Sequence, residues 1–372
     1  MPATGRLVAL SHHLTLGMST CTSAVGAASH PRQQLAPHVP LSVKDLFTAL
    51  HAHYGTELNP INYVRGIGVC ARIRHENLTG GGEQAAARAR ELVASIPPAP
   101  ELQPVSGSAL AFLEELADRA ASPEEAAATL APLVEFGQRY LDEVDSATGR
   151  AEGLLNKGNW TEDLFFDGVI LGRAFKHTGK QEMADMLCHM LLSNGNQHSS
   201  GLWHHADHSP NAWSRGNGFA AAGHAEALHY LPREHPRYSE LVDRHNRHLR
   251  ALIQHQDADG TWHQLVDDPT SFHELTSTGL IGYAITRGLQ GGWINDDLVA
   301  FANACIDRAF LAVRSRIDSA GRVKGACQST GPLPSREKYL EHPILDGVTD
   351  DRAGSVCYWF AVEYARLRSL HL

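Results

Sequence analysis

The run Trp160-Thr161-Glu162-Asp163-Leu164-Phe165-Phe166-Asp167 sets three carboxylates among large aromatic side chains. A carboxyl packed against Trp or Phe loses hydration. Its pKa then rises, and it can stay protonated near neutrality, as a general acid requires. The plainer reading is that acidic residues in a first turn balance the helix dipole. On a helix, Asp163 and Asp167 share one face while Glu162 points about 100° away from Asp163, so at most two of the three can enter one pocket.

A second stretch runs from Trp203-His204-His205 through His208 to Trp213-Ser214-Arg215-Gly216-Asn217-Gly218. It puts indole stacking planes beside a planar cation, which suits an acidic sugar. Arg215 can hold a ligand carboxylate in its guanidinium fork; a structural ion pair for Arg215 and core packing for Trp213 are the alternatives. His204, His205 and His208 have a spacing open to zinc but no HExxH pattern. A sugar-contacting His205 is the better reading, and no metal or organic cofactor is expected. A third stretch, Gly260-Thr261-Trp262-His263-Gln264 to Asp268-Pro269, offers a stacking face in Trp262 and hydroxyl partners in His263 and Gln264. The small set Thr276-Ser277-Thr278-Gly279 opens the helix that follows. Cys327, in the small-residue loop Gly325–Pro332, lacks a cationic setting and is not expected to be a nucleophile.

The elements that must position these residues are helices. Apolar periodicity of the helical type places them at about 43–53, 60–77, 83–95, 108–120, 123–142, 160–178, 180–194, 211–230, 236–255, 274–289, 294–315 and 353–369, with few strand patterns. Ser122 and Thr161 read as N-caps, and Pro123 suits a first helical position. Met183, Met186, Leu187 and Met190 read as core. Glycine turns at Gly149, Gly201, Gly260 and Gly321 recur about 50 to 60 residues apart. That period holds a helix pair and a long loop. About six pairs fit, so the pattern predicts an all-α ring of six helical hairpins, an α/α toroid with one set of loops around a central cavity. An open solenoid is the alternative.

The chain has 372 residues, a formal charge of -9 and 43% hydrophobic residues. This composition supports a large core and argues against a nucleic-acid partner, which calls for a basic stripe. No apolar run is long enough to span a membrane. Six scattered cysteines without a CxxC pair suggest thiols in a reducing, cytoplasmic setting. Residues 1–40 read as a flexible segment, with a weak secretory-signal pattern broken by His12 and His13. Residues 41–372 read as a single catalytic domain. The sequence does not specify an oligomeric state.

Taken in order, the motifs resemble the unsaturated rhamnogalacturonyl hydrolases, glycoside hydrolase family 105, related to the family 88 unsaturated glucuronyl hydrolases. The carriers are Tyr63-x-x-Gly66, Trp160–Phe165, Gly201-Leu202-Trp203-His204-His205, Trp213–Gly218, and Gly260–Pro269 with Thr276–Gly279, spread over about residues 60–340. The resemblance implies an (α/α)6 barrel and removal of a 4,5-unsaturated uronic acid from the non-reducing end of lyase-generated oligosaccharides, in polysaccharide degradation. In strict register the family's catalytic Asp falls on Glu162, one methylene longer, leaving Glu162 and Asp163 as alternatives for the acid. The implied substrate contacts are Tyr63, Lys157, Trp160, His205, Trp213, Arg215, Asn217, Trp262 and Gln264. A second family Asp is replaced by Val105 and Ser106, with Glu101 the nearest carboxylate. A catalytically silent sugar-binding toroid, an inverting glycosidase and a sugar epimerase are the rival readings.

Overall fold

Eleven of the twelve expected helices form as single elements in the computed structural model, which describes residues 39–81 and 83–372. The first hairpin joins α1 (Val43–His53) to α2 (Tyr63–Thr79). The second joins α3 (Glu83–Val93) to α4 (Pro104–Gly107), a 3-10 turn (Ser108–Ala111) and α5 (Phe112–Ala117). This broken segment corrects the continuous helix expected at 108–120. Three hairpins follow: α6 (Pro123–Asp142) with α7 (Thr161–Thr178), α8 (Gln181–Ser193) with α9 (Ser214–Tyr230), and α10 (Tyr238–Gln254) with α11 (Leu275–Gly291). The strands β1 (Trp262–His263) and β2 (His273–Glu274) pair within the loop from α10 to α11. The last hairpin runs from α12 (Asp296–Arg316) through β3 (Val323–Cys327), α13 (Arg336–Leu340) and β4 (Ile344–Val348) to α14 (Asp351–Arg368).

Burial separates the two partners of each hairpin. The α10 segment, rich in Arg and His, buries one stripe around Leu241, Leu249 and Leu252, as an outer helix should. The α9 helix buries every residue from Ser214 to Leu228, as only a helix packed on all sides can. Inner helices touch in the order α2, α4–α5, α7, α9, α11, α14 and back to α2, closing the (α/α)6 ring. Small residues permit that closeness: a Cβ on Gly223 of α9 would fall 2.0 Å from the Leu164 carbonyl oxygen of α7.

The recurring glycine turn is one structure used four times. Gly149, Gly201, Gly260 and Gly321 all have positive φ, and each amide donates to a carbonyl three or four residues back, at Asp145, His198, Asp257 and Asp318 respectively. Gly260 is fixed twice over, because a Cβ there would also meet the Arg308 carbonyl oxygen at 2.2 Å.

Ser122 caps α6, accepting from the Glu125 amide at 3.2 Å. Thr161 does not cap α7. Trp160 holds the cap position without a side-chain bond, and Thr161 is the first helical residue. Met183, Met186, Leu187 and Met190 are core. The five described cysteines are buried and unpaired. Residues 39–372 fall in one compact unit; the segment expected to be flexible lies, up to residue 38, outside the described residues. No described helix is long and apolar enough to cross a membrane.

Farther along the inner helices lies a buried ion lattice. Arg74 pairs with Glu115 at 2.6 Å and Glu363 at 2.9 Å, while Arg173 pairs with Glu226 at 2.6 Å and Glu114 at 3.2 Å.

Candidate active site

The six inner helices begin at one end of the ring. Their second residues are Val64, Val105, Glu162, Arg215, Thr276 and Arg352. All but Thr276 line one cavity of about 510 Å³, together with Tyr63, Arg65, Asn156, Trp160, Trp213 and others. Helix N-termini carry partial positive charge and unpaired amide donors, so their convergence favours an anionic ligand.

Glu162 is the carboxylate that α7 sends into this cavity. Its Oε1 lies 3.1 Å from His205 Nε2, and its Oε2 accepts from Thr161 Oγ1 at 3.2 Å. His205 is fully buried, stacked on Trp213 at 4.2 Å between ring centroids. Its Nδ1 faces the Tyr339 hydroxyl at 2.5 Å. Tyr339 in turn accepts from the Leu333 amide at 3.0 Å and lies 2.9 Å from Ser209 Oγ. Ser209 donates its own proton to the Leu333 carbonyl at 2.7 Å. Tyr339 therefore has one proton and two acceptors, Ser209 and His205. If it donates to His205 Nδ1, Nε2 carries hydrogen and donates to a Glu162 carboxylate. If it donates to Ser209, Nδ1 carries hydrogen and Nε2 accepts from a protonated Glu162. Both protonation states of Glu162 thus keep a complete hydrogen-bond chain.

Arg215 stacks over Trp213 with its guanidinium carbon 4.5 Å from the ring centroid. It donates to the Cys327 carbonyl at 2.7 Å and the Gln328 carbonyl at 3.0 Å. Neutral acceptors aim the fork without cancelling its charge, and Arg215 makes no ion pair among the described residues. Tyr63 packs among Phe165, Phe166 and Phe219, and burial pushes its hydroxyl pKa up while Arg352 and Arg215 pull it back. Trp160 donates through Nε1 to the Lys157 carbonyl at 3.1 Å. Gly331 rests against the Trp160 ring, so the 325–332 loop, of unassigned role in the sequence, supplies Ser329 and Thr330 to the rim.

Other expected site residues lie elsewhere. Asp163 turns behind α7 and accepts from Asn156 Nδ2 at 2.7 Å. Burial, reinforced by Asp167, raises its pKa well above the usual range, and burial lifts Asp167 to about 7. The rise expected for a carboxyl among aromatics therefore occurs at this pair, outside the cavity lining. Lys157 is exposed and does not line the cavity. Asn217 is fully buried and braces the loop, accepting from the Trp203 amide and donating to the Trp203 and Trp213 carbonyls at 2.9 Å each. Trp262 is core, tied to the Leu252 carbonyl at 2.7 Å, and Gln264 donates to Cys327 Sγ at 3.2 Å from full burial. His204 stacks on His198, not on the other two histidines of its loop. Burial raises the Cys327 thiol pKa, the opposite of activation.

Arg352 and Tyr339 went unrecognised in the sequence. For Arg352 a signal existed: Asp350 caps α14, accepting from the Ala353 amide, which puts Arg352 in the same second position as Glu162 and Arg215. Tyr339 had no comparable mark.

Comparison with known proteins agrees with this architecture. Residues 194–368 match Glycosyl Hydrolase Family 88. The chain is 25% identical over 182 residues to the unsaturated rhamnogalacturonyl hydrolase YesR of Bacillus subtilis (strain 168), covering 49% of this chain and 47% of that protein. It thus spans about half the length of this curated relative. A possible member of the GH105 family from Salmonella enterica subsp. enterica serovar Paratyphi A superposes with a TM-score of 0.74 at 17% identity, covering 93% of this chain and 100% of that one. The unsaturated glucuronyl hydrolase of Bacillus sp. GL1 gives a TM-score of 0.58 at 12% identity, over 87% and 94%. With a family 88 match over residues 194–368 and an (α/α)6 ring shared with a possible GH105 member, the chain is similar in sequence to family 88 and in fold to that structure.

Proposed function

We propose that the protein is a glycoside hydrolase that hydrates the enol ether of a 4,5-unsaturated uronic acid at the non-reducing end of an acidic oligosaccharide. The observation that carries this reading is the Glu162 carboxyl facing a cavity that also holds two guanidinium groups, Arg215 and Arg352, free of ion pairs among the described residues, while the other charged groups of the lining are engaged, Asp350 as the cap of α14 and Asp351 with Arg65. The cations and converging helix N-termini receive the uronate carboxylate. Trp160 offers a face to the ring, Trp213 lines the cavity as the plane that backs Arg215 and His205, and Tyr63 closes the floor.

In the proposed reaction Glu162 gives its proton to C4. Water adds its oxygen at C5 and returns a proton to the Glu162 carboxylate, so the enzyme ends as it began. The resulting hemiketal opens and releases the aglycone. His205 stays hydrogen-bonded to Glu162 through the step, with Tyr339 as the positioning residue that holds its Nδ1. Because the anomeric carbon is not attacked, no second carboxylate at glycosidase spacing is needed. We place the enzyme in the cytoplasm, a reading supported by the five buried, unpaired thiols among the described residues.

Val105, in a cavity seat where relatives are expected to carry a carboxylate, favours the silent sugar-binding toroid as a second reading. Incubation with unsaturated galacturonyl and glucuronyl disaccharides separates the two. Loss of the enol's ultraviolet absorbance is expected, and it should fall about 10²- to 10⁴-fold in Glu162→Gln while Asp163→Asn stays within a few-fold of the parent. Tight binding without turnover would establish the silent toroid instead.

A further inference from the structure

The two-stranded clip between α10 and α11 gathers Asp257, His263 and His273, whose ligand atoms all lie within 4.8 Å of one another. His263 and His273 are directly opposed across β1 and β2. His263 Nε2 lies 2.9 Å, and His273 Nε2 3.6 Å, from the same Asp257 oxygen, Oδ2. The other nitrogen of each ring is already committed. His263 Nδ1 faces the Ser271 carbonyl oxygen at 2.7 Å, which can only accept, so Nδ1 bears hydrogen. His273 Nδ1 lies 2.9 Å from Asp259 Oδ2 and 2.7 Å from Thr261 Oγ1. Thr261 gives its proton to Asp259 Oδ1 at 2.6 Å, so this Nδ1 also meets only acceptors and bears hydrogen. In neutral imidazoles both Nε2 atoms are therefore lone pairs, directed at a carboxylate oxygen.

Three lone-pair donors sharing one small volume call for a cation between them. We infer that Asp257, His263 and His273 form a binding site for one divalent transition-metal ion of the zinc type. Ligands held about 2.0–2.2 Å from a tetrahedral ion stand roughly 3.3 Å apart, close to the 2.9 and 3.6 Å separations here. The outer shell matches as well. A backbone carbonyl orients one histidine and a carboxylate, Asp259, orients the other, the arrangement that fixes metal-binding tautomers. Arg316 pairs with Asp259 and balances its charge. The Asp257 and His273 side chains are 34% and 36% exposed, which leaves an approach for the ion and a position for water. None of the three lines the Glu162 cavity, so the ion is structural: it ties β1 to β2 at the foot of α11.

The test titrates the full-length protein with Co²⁺ and Zn²⁺ at neutral pH, reading the visible d–d band of four-coordinate Co²⁺ and its displacement by Zn²⁺. One equivalent per chain is expected. Asp257→Asn and His273→Ala, both at half-exposed positions, should each weaken binding at least 10-fold, and Asp259→Asn about 10- to 100-fold through the outer shell. Circular dichroism and metal-free melting of each variant check that it folds. Zinc should raise the Tm of the parent and not that of folded Asp257→Asn. Absence of the band, or binding of equal strength in Asp257→Asn and His273→Ala, overturns the site in favour of imidazolium–carboxylate pairs.

Discussion

The two ends of the inner helices bury the same kinds of charged groups and treat them in opposite ways. Toward the C-terminal ends every carboxylate of the lattice meets guanidinium: Arg74, Arg173 and Arg287 stand among Glu114, Glu115, Glu226 and Glu363. Those arginines hold Glu226 down to about 2 despite full burial. At the N-terminal ends Arg215 leans on backbone carbonyls, Glu162 on a histidine and a hydroxyl, and the Asp163–Asp167 pair behind them has its pKa values raised by burial. Charge matched within the protein gives rigidity, since a compensated lattice has nothing left to offer a ligand. Charge left unmatched makes the other end a site.

The largest effect expected from this contrast is in the lattice. Arg173→Met leaves Glu226 buried without its main partner and takes one of the partners of Glu114, and unfolding free energy should fall by about 3–5 kcal/mol, read from denaturant melts. A loss under about 1 kcal/mol would mean that the lattice tolerates unmatched charge and that the contrast is wrong.

The next effect depends on pH. Asp167, raised to about 7, binds its proton more tightly folded than unfolded, where Asp titrates near ~3.9. Its contribution to stability is therefore complete below about pH 4 and disappears as pH rises through about 7, by up to about 1.4 kcal/mol per pH unit. Glu226 has the opposite sign, contributing fully above the ordinary Glu range and failing only as pH falls through about 2. Melting of Asp167→Asn across pH 4 to 8 should show a shallower decline than the parent, the remainder coming from Asp163; parallel profiles would contradict a neutral carboxyl at this place.

The smallest effect is at Tyr339. Tyr339→Phe removes the hydroxyl that holds His205 Nδ1 and so loosens the partner of Glu162, and kcat should drop about tenfold, or about 1.4 kcal/mol, with KM unchanged and the pH–rate profile shifted. An unaltered pH profile would reduce Tyr339 to packing.

Much of this was legible in the linear chain. Helix positions followed from apolar spacing, the ring from the glycine turn, and Glu162, Trp160, Trp213, Arg215 and Tyr63 from their motifs, because helix phase fixes which residue of a first turn shares a face with which. Lys157, Asn217, Trp262 and Gln264 lie near the motifs, yet their side chains turn into core or solvent and not into the Glu162 cavity. Chain proximity does not say which way a loop folds back. The zinc-type cluster shows the same limit from the other side: the three adjacent histidines at 204–208 diverge, while Asp257, His263 and His273 converge across a hairpin.

By itself, then, the sequence determined the helices, their pairing into a repeating ring and the first turns that carry chemical groups, since all three depend on local periodicity. Tertiary structure alone decided that Glu162 and not Asp163 faces the cavity, that Arg352 joins Arg215 there, and that Tyr339 stands behind His205. Those choices depend on six helix starts meeting from segments nearly 300 residues apart, a distance over which spacing along the chain carries no directional information.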